Sequence, residues 1–132
     1  MKTNLDKFYK TNQTLEKQGI WIMVSDETGF KIRRFGGANS DKLKMALAKY
    51  YKPYSRQVEK GTLSTEKENE ITTKSFIETS MIDWKGVEID GEEKPYDPSL
   101  AFDFFIQLPE LLEELLKQSQ IVDNFKEELG NF

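Results

Sequence analysis

The chain has no cysteine and no histidine among its 132 residues. Without thiols there is no disulfide, no thiolate zinc site and no cysteine nucleophile. Without imidazole there is no serine–histidine triad, no histidine metal site and no ordinary imidazole acid–base catalysis. Long apolar runs are missing too. Nothing approaches the ~18 consecutive apolar residues that span a bilayer, and Met1–Lys10 is polar, without the apolar centre of a signal segment. These absences predict a soluble cytoplasmic protein with no cofactor and no metal, and not an enzyme.

Apolar residues make up 37% of the chain and charged residues 32%, a balance that predicts a thin core under a heavily solvated surface. Nine Phe, five Tyr and two Trp argue against disorder, because each ring can bury a large apolar area. The length predicts a single domain, 1–132, with 1–13 as a loose N-terminal arm. Charge is divided along the chain. Residues 1–60 carry 13 Lys+Arg against 6 Asp+Glu, net +7, and residues 61–132 carry 6 against 17, net −11. Solvated faces, attraction within one fold and head-to-tail stacking of copies are all compatible with that division.

The pattern predicts an α+β fold, mostly helical, with four to five short helices, an N-terminal β-hairpin and a small β-turn unit around Trp84–Tyr96. Leu5, Phe8, Tyr9 and Leu15 are scattered anchors, and a short helix over Thr14–Gln18 stops at Gly19. Ile20–Val24 and Phe30–Arg34 alternate with period two around the loop Ser25–Gly29, whose glycine would supply a positive φ. Gly36-Gly37 breaks the second strand, and Asn39 or Ser40 caps the next helix. Leu43, Leu47, Tyr50 or Tyr51, Tyr54 and Val58 lie at helical spacing. Pro53 divides them and Gly61 ends them. Ser64 caps a marginal helix bearing Ile71, Phe76, Ile77 and Met81. Asp90-Gly91 makes the turn of the small β unit, and Asp97-Pro98 starts a helix with the stripe Ala101, Phe102, Phe105 and Ile106. Pro109 begins the last helix, with Leu111, Leu112, Leu115, Leu116, Val122 and Phe125 on its apolar side and Gly130 as its stop.

Three groupings could carry chemistry. Lys31, Arg33 and Arg34 beside Trp21 and Phe35 could grip a nucleic acid, but overall acidity opposes backbone neutralisation. The bland alternative has the arginine stems covering apolar surface. Gly36-Gly37-Ala38-Asn39 before a helix is a weak anion-turn signal that lacks the P-loop pattern. Asp83, Glu88, Asp90, Glu92, Glu93 and Asp97 lack the spacing of a calcium loop and read as a solvated acidic turn. Trp84 is either a core plug against the last two helices or a partner contact. Phe102, Phe104, Phe105, Leu108, Leu111 and Leu112 exceed one helical stripe, with Phe104 off the main face. Either that helix is buried all round or one face is kept for another molecule.

From about residue 14 to residue 126 the chain resembles tail assembly chaperones of long-tailed (siphovirus-type) bacteriophages. The resemblance rests on an ordered series: Leu15-Glu16-Lys17-Gln18-Gly19-Ile20-Trp21, Phe30–Asn39, Lys52-Pro53-Tyr54, Glu59–Leu63, Asp83-Trp84-Lys85-Gly86-Val87, Asp90-Gly91, Leu108–Leu112 and Asn124-Phe125. It implies a non-enzymatic protein of the host bacterial cytoplasm that holds the tape measure protein soluble while tail tube protein polymerises, and that is absent from the mature virion. It also implies self-association and places tail tube protein among further partners. Helix-in-groove binding of such a client needs exposed apolar residues rimmed by charge. Trp84, Phe102, Phe104, Phe105, Leu112 and Trp21 are therefore the expected protein-binding residues. The alternatives are a structural tail protein retained in the virion and a small nucleic-acid-binding regulator.

Overall fold

The computed structural model describes residues 2–126, except for the side chains of Lys7, Phe8, Gln13, Val122 and Asp123. The expected anchor Phe8, the helix residue Val122 and the stop Gly130 thus fall outside what is described. The architecture is α+β. Helices α1 (Leu5–Tyr9) and α2 (Gln13–Gln18) precede strands β1 (Ile20–Met23) and β2 (Gly29–Ile32). Then come α3 (Ser40–Tyr51), α4 (Ser55–Lys60), α5 (Thr65–Thr79), β3 (Met81–Lys85), β4 (Glu88–Ile89), β5 (Glu92–Glu93), α6 (Pro98–Gln107) and α7 (Pro109–Gln120). Short 3-10 turns lead into α3, join α3 to α4 and follow α7.

Local chemistry sets most boundaries. The Ser64 side chain accepts from Lys67 N and opens α5; Asp97 accepts from Ser99 N, with Pro98 at the first helical position of α6. Pro53 sits in the 3-10 turn between α3 and α4, and Gly61 closes α4 at φ 66. The expected β-hairpin is β1–β2, paired from Ile20↔Ile32 to Met23↔Gly29.

Several expectations are corrected. Gly29 does not take a positive φ; it lies within β2, with the flexible Met23 side chain packed over it. Asn39 holds the expected N-cap position of α3 but makes no side-chain cap bond; its Nδ2 instead donates 2.7 Å to the Thr79 carbonyl at the end of α5. Met81 lies beyond α5 as the first residue of β3. The small β-turn unit is present as β4–β5, turning through Asp90-Gly91 at φ 53 and 80. Its Trp84 end belongs instead to β3, which pairs antiparallel with β2 in a three-stranded sheet of order β1-β2-β3. On α6, Ala101 and Phe105 of the expected stripe are buried, but Ile106 is exposed and Phe104 packs partly buried against the core. Helix α7 ends at Gln120, so Phe125 reaches the interior from the following 3-10 turn rather than from that helix.

The inner face of the sheet supplies Phe30, Ile32, Met81 and Trp84; the helices supply Phe76, Ala101, Phe105, Leu112 and Leu115. The rings form a chain: Phe35 to Phe76 at 5.7 Å, Phe76 to Phe105 at 6.0 Å, Phe105 to Phe30 at 6.3 Å and Phe30 to Trp84 at 6.2 Å. Each such pair is worth about 1 kcal/mol beyond the area it buries.

A second fixed point lies at the end of β2. Glu16 is 2% exposed, and its carboxylate accepts from Arg34 Nη1 at 2.5 Å, from the Ala38 N–H at 2.8 Å and from the Thr11 hydroxyl. Burial pushes this carboxyl up. The Thr11 and Arg34 hydrogen bonds, the Ala38 N–H and the Arg34 charge outweigh it, so the net shift is downward. Arg33 Nε donates 2.6 Å to the Lys17 carbonyl. The structure therefore engages both arginines of the candidate nucleic-acid grip in contacts with α2.

Two predictions follow from this packing. At Gly86, φ is 68 and a Cβ would overlap the Glu27 carbonyl oxygen of the hairpin loop. Gly86→Ala is expected to destabilise the protein by about 3 kcal/mol in guanidinium unfolding, from left-handed strain plus the clash. Glu16, with a folded pKa below its ordinary 4.5, contributes stability that is present above about pH 4.5 and lost as pH falls through the folded value. Glu16→Gln should cost about 2 kcal/mol at pH 7, and its Tm should decline less steeply than the wild type's below pH 4.5. An unchanged acid limb would show that another carboxylate controls it.

Candidate protein-binding groove

Helix α3 packs on α5, and α5 on α6. Where α3 and α6 diverge from the C-terminal half of α5 they leave a cleft of about 690 Å³. Its apolar surface comes from Tyr50, Ile77, Met81, Tyr96, Pro98 and Phe102. Lys74, Glu78 and Asp103 supply the charge at its edges. A second hollow of about 390 Å³, lined by Lys42, Met45, Ala46, Lys49 and Thr79, shares Glu78 with the first. Together they make a furrow along α5, with Met45 74% exposed at its α3 side.

Charges are placed across the furrow. Lys74 Nζ stands 5.9 Å from the Tyr50 ring centre and 5.8 Å from that of Phe102, a cation between two ring faces. Lys49 Nζ meets Glu78 Oε1 at 2.5 Å, and the Glu78 hydrogen bond holds the Lys49 ammonium above its ordinary pKa. Both side chains are largely exposed, so the pair adds little stability and can reopen at low cost. Tyr96 packs on Trp84 at 5.1 Å. Burial first, then the nearby Asp97 and Asp83 charges, pushes its phenol up to about 12. Near neutral pH that hydroxyl stays protonated.

The six expected contact residues separate into two groups. Trp84, Phe105 and Leu112 come together in the core, and Phe104 packs partly buried against it. Trp84 is 4% exposed, with Nε1 donating 2.8 Å to the Lys94 carbonyl, and Phe104 lies against it at 5.8 Å. Trp84, Phe105 and Leu112 are buried in this fold, whereas Phe104 keeps part of its surface open. Phe102 lines the furrow, and Trp21 lies on the outer face of the sheet under Lys85, 4.5 Å from its ring centre. Tyr50, Lys74, Ile77 and Tyr96 also line the furrow but were not among the six expected residues. The helical spacing of Tyr50 was visible, but the furrow arises only when α3, α5 and α6 meet. The acidic cluster is spent locally: Asp97 caps α6, Glu93 accepts from Gly86 N, and Glu92 pairs with Lys94.

Residues 38–130 match the protein family described as YdaY prophage protein. The chain belongs to the YdaY prophage protein family. No curated protein and no solved structure matches it. The YdaY stretch contains every lining residue of the furrow and begins beyond β1 and β2. Among the described residues, no helix is long and apolar enough to cross a membrane.

Tyr96 provides a test of how the furrow is built. Its raised pKa means that its contribution to stability is fully present below about pH 10 and lost as pH rises toward 12. Tyr96→Phe should flatten that part of the fall in Tm; a variant tracking the wild type through the interval would place Tyr96 in water.

Proposed function

We propose that this prophage protein is a non-enzymatic tail assembly chaperone that binds the tape measure protein and keeps it soluble while the tail tube polymerises. It acts in the host bacterial cytoplasm and leaves before the virion is complete. The observation that carries this reading is the furrow along α5. It is open, apolar at its floor, and rimmed by lysines and acids. An amphipathic helix laid in it would place its apolar stripe on Ile77, Met81 and Phe102 and its charges against the rim. Membership of a prophage family and the ordered resemblance to tail assembly chaperones support the same reading. A nucleic-acid role is less favoured, because Arg33 and Arg34 are engaged with α2.

Co-expression with the tape measure protein of the same prophage, then pull-down at moderate salt, tests the proposal. Phe102→Glu puts a charge on the furrow floor and should lower recovery of the soluble complex at least tenfold, about 1.4 kcal/mol. Lys117→Ser on α7, outside the furrow, should leave it unchanged. A tape measure protein that stays insoluble and unbound would remove the chaperone reading. Detection of this chain in purified virions would replace it with a structural tail role.

A further inference from the structure

The outer edge of β1 has hydrogen-bonding capacity that no other described residue uses. Val24 N donates 2.9 Å to the Thr28 carbonyl beside the hairpin turn. In an antiparallel pair the bonded positions alternate. From that bond, the bonded pairs are Ile22↔Phe30 and Ile20↔Ile32. Trp21 and Met23 must then point their N–H and C=O groups away from β2. The same alternation turns Arg33 toward β3, where Arg33 N donates 2.7 Å to the Ser80 carbonyl. In the order β1-β2-β3, β1 is an edge strand, and among the described residues no other element bonds to the backbone of Trp21 or Met23.

Exposed edges are ordinarily blunted by lysine, proline or a bulge. The sequence Ile20-Trp21-Ile22-Met23 carries no charge and no proline, and the sheet's irregularity lies between β2 and β3. Trp21 is 37% and Met23 45% exposed on the outer face, while Ile20 and Ile22 pack toward the core.

We propose that β1 is a self-pairing edge through which two copies join antiparallel about a two-fold axis at Ile22, fusing their sheets. Only one short register both keeps inner faces together and uses every free group. It sets Trp21 opposite Met23 of the second copy and Met23 opposite its Trp21, so that four backbone hydrogen bonds form. Each tryptophan then lies beside a methionine thioether. The antiparallel arrangement also sets the hairpin-loop end of one copy, with the exposed Asp26 and Glu27, beside the α2 end of the other, with the exposed Lys17. The surface is self-complementary in backbone, side chain and charge. The inference goes beyond the client-binding reading and stands without it.

Sedimentation from micromolar to millimolar protein, with amide hydrogen exchange on the same samples, tests it. The mass should double with concentration. The Trp21 and Met23 amides should slow at least tenfold on dimerisation, while Ile20 and Ile22, bonded to β2, stay protected throughout. Met23→Pro deletes an outward N–H without touching the β1–β2 ladder and should weaken association at least tenfold. Trp21→Lys, a charge on the same edge, should do the same, with circular dichroism reporting the fold of both variants. A monomer at every concentration overturns the proposal and leaves the edge to an extended segment of another protein. A dimer in which the Trp21 and Met23 amides exchange as fast as in the monomer overturns it equally.

Discussion

The contact between Phe30 and Phe105 joins the sheet to the helices, and the rest of the fold is arranged around it. Phe30 comes from the middle strand and Phe105 from α6, and each has further aromatic neighbours, Trp84 on one side and Phe76 on the other. Fully burying one such ring is worth roughly 2 to 3 kcal/mol, whereas an exposed ion pair such as Lys49–Glu78 is screened by solvent and contributes little. The aromatic chain therefore sets where α5 and α6 lie. The ion pairs only trim the surface that results. The furrow is a by-product of that priority: α6 follows Phe105 onto the sheet, α3 follows α5, and the gap between them is floored by Met81 and Phe102.

Much of the local structure was legible because its causes are local. Ser64 and Asp97-Pro98 act within one turn of themselves, Gly61 ends a helix through its own φ, and period-two alternation marks β1 and β2 wherever they pack. The errors have non-local causes. Asn39 had a cap's identity and position, but the Thr79 carbonyl, distant in sequence, was the partner it met. Met81 fitted the spacing of α5, yet β2 needed a neighbour on its second edge, and that demand turned the chain into a strand at Ser80. Helix α7 looked longer because Phe125 is apolar and buried, a property that its 3-10 turn satisfies as well.

The site was harder to read for a related reason. Aromatic density signals burial and recognition alike. Trp84, Phe104 and Phe105 share composition and neighbourhood with Phe102, and only the direction of α6 separates core from groove. Phe104 illustrates the limit. It lies off the Phe105 face of the helix, but β3 brings Trp84 around to meet it, so a second face of α6 is covered by a strand that periodicity did not reveal. Lys74 carried no signal at all, since a lysine on a solvated helix is unremarkable until Tyr50 and Phe102 flank it.

The match to the YdaY family begins at residue 38, beyond both strands of the hairpin. Those strands nevertheless complete the interior of the matched part. Without β2, the sheet side of Phe76 and Phe105 would lose Phe30 and Ile32, and β3 would lose the strand it pairs with. The hairpin is thus bound to the helical part by burial that the helices cannot supply among themselves. That constraint acts on one strand face only. It fixes Phe30 and Ile32, while the outer row of β1, Trp21 and Met23, contributes nothing to the core cluster. Trp21 gains the Lys85 ammonium over its ring there, but both side chains stay about two-fifths exposed, and polar residues would satisfy the β1–β2 ladder equally well, since that ladder needs only backbone. Their presence is better accounted for by a surface outside the chain than by the packing within it.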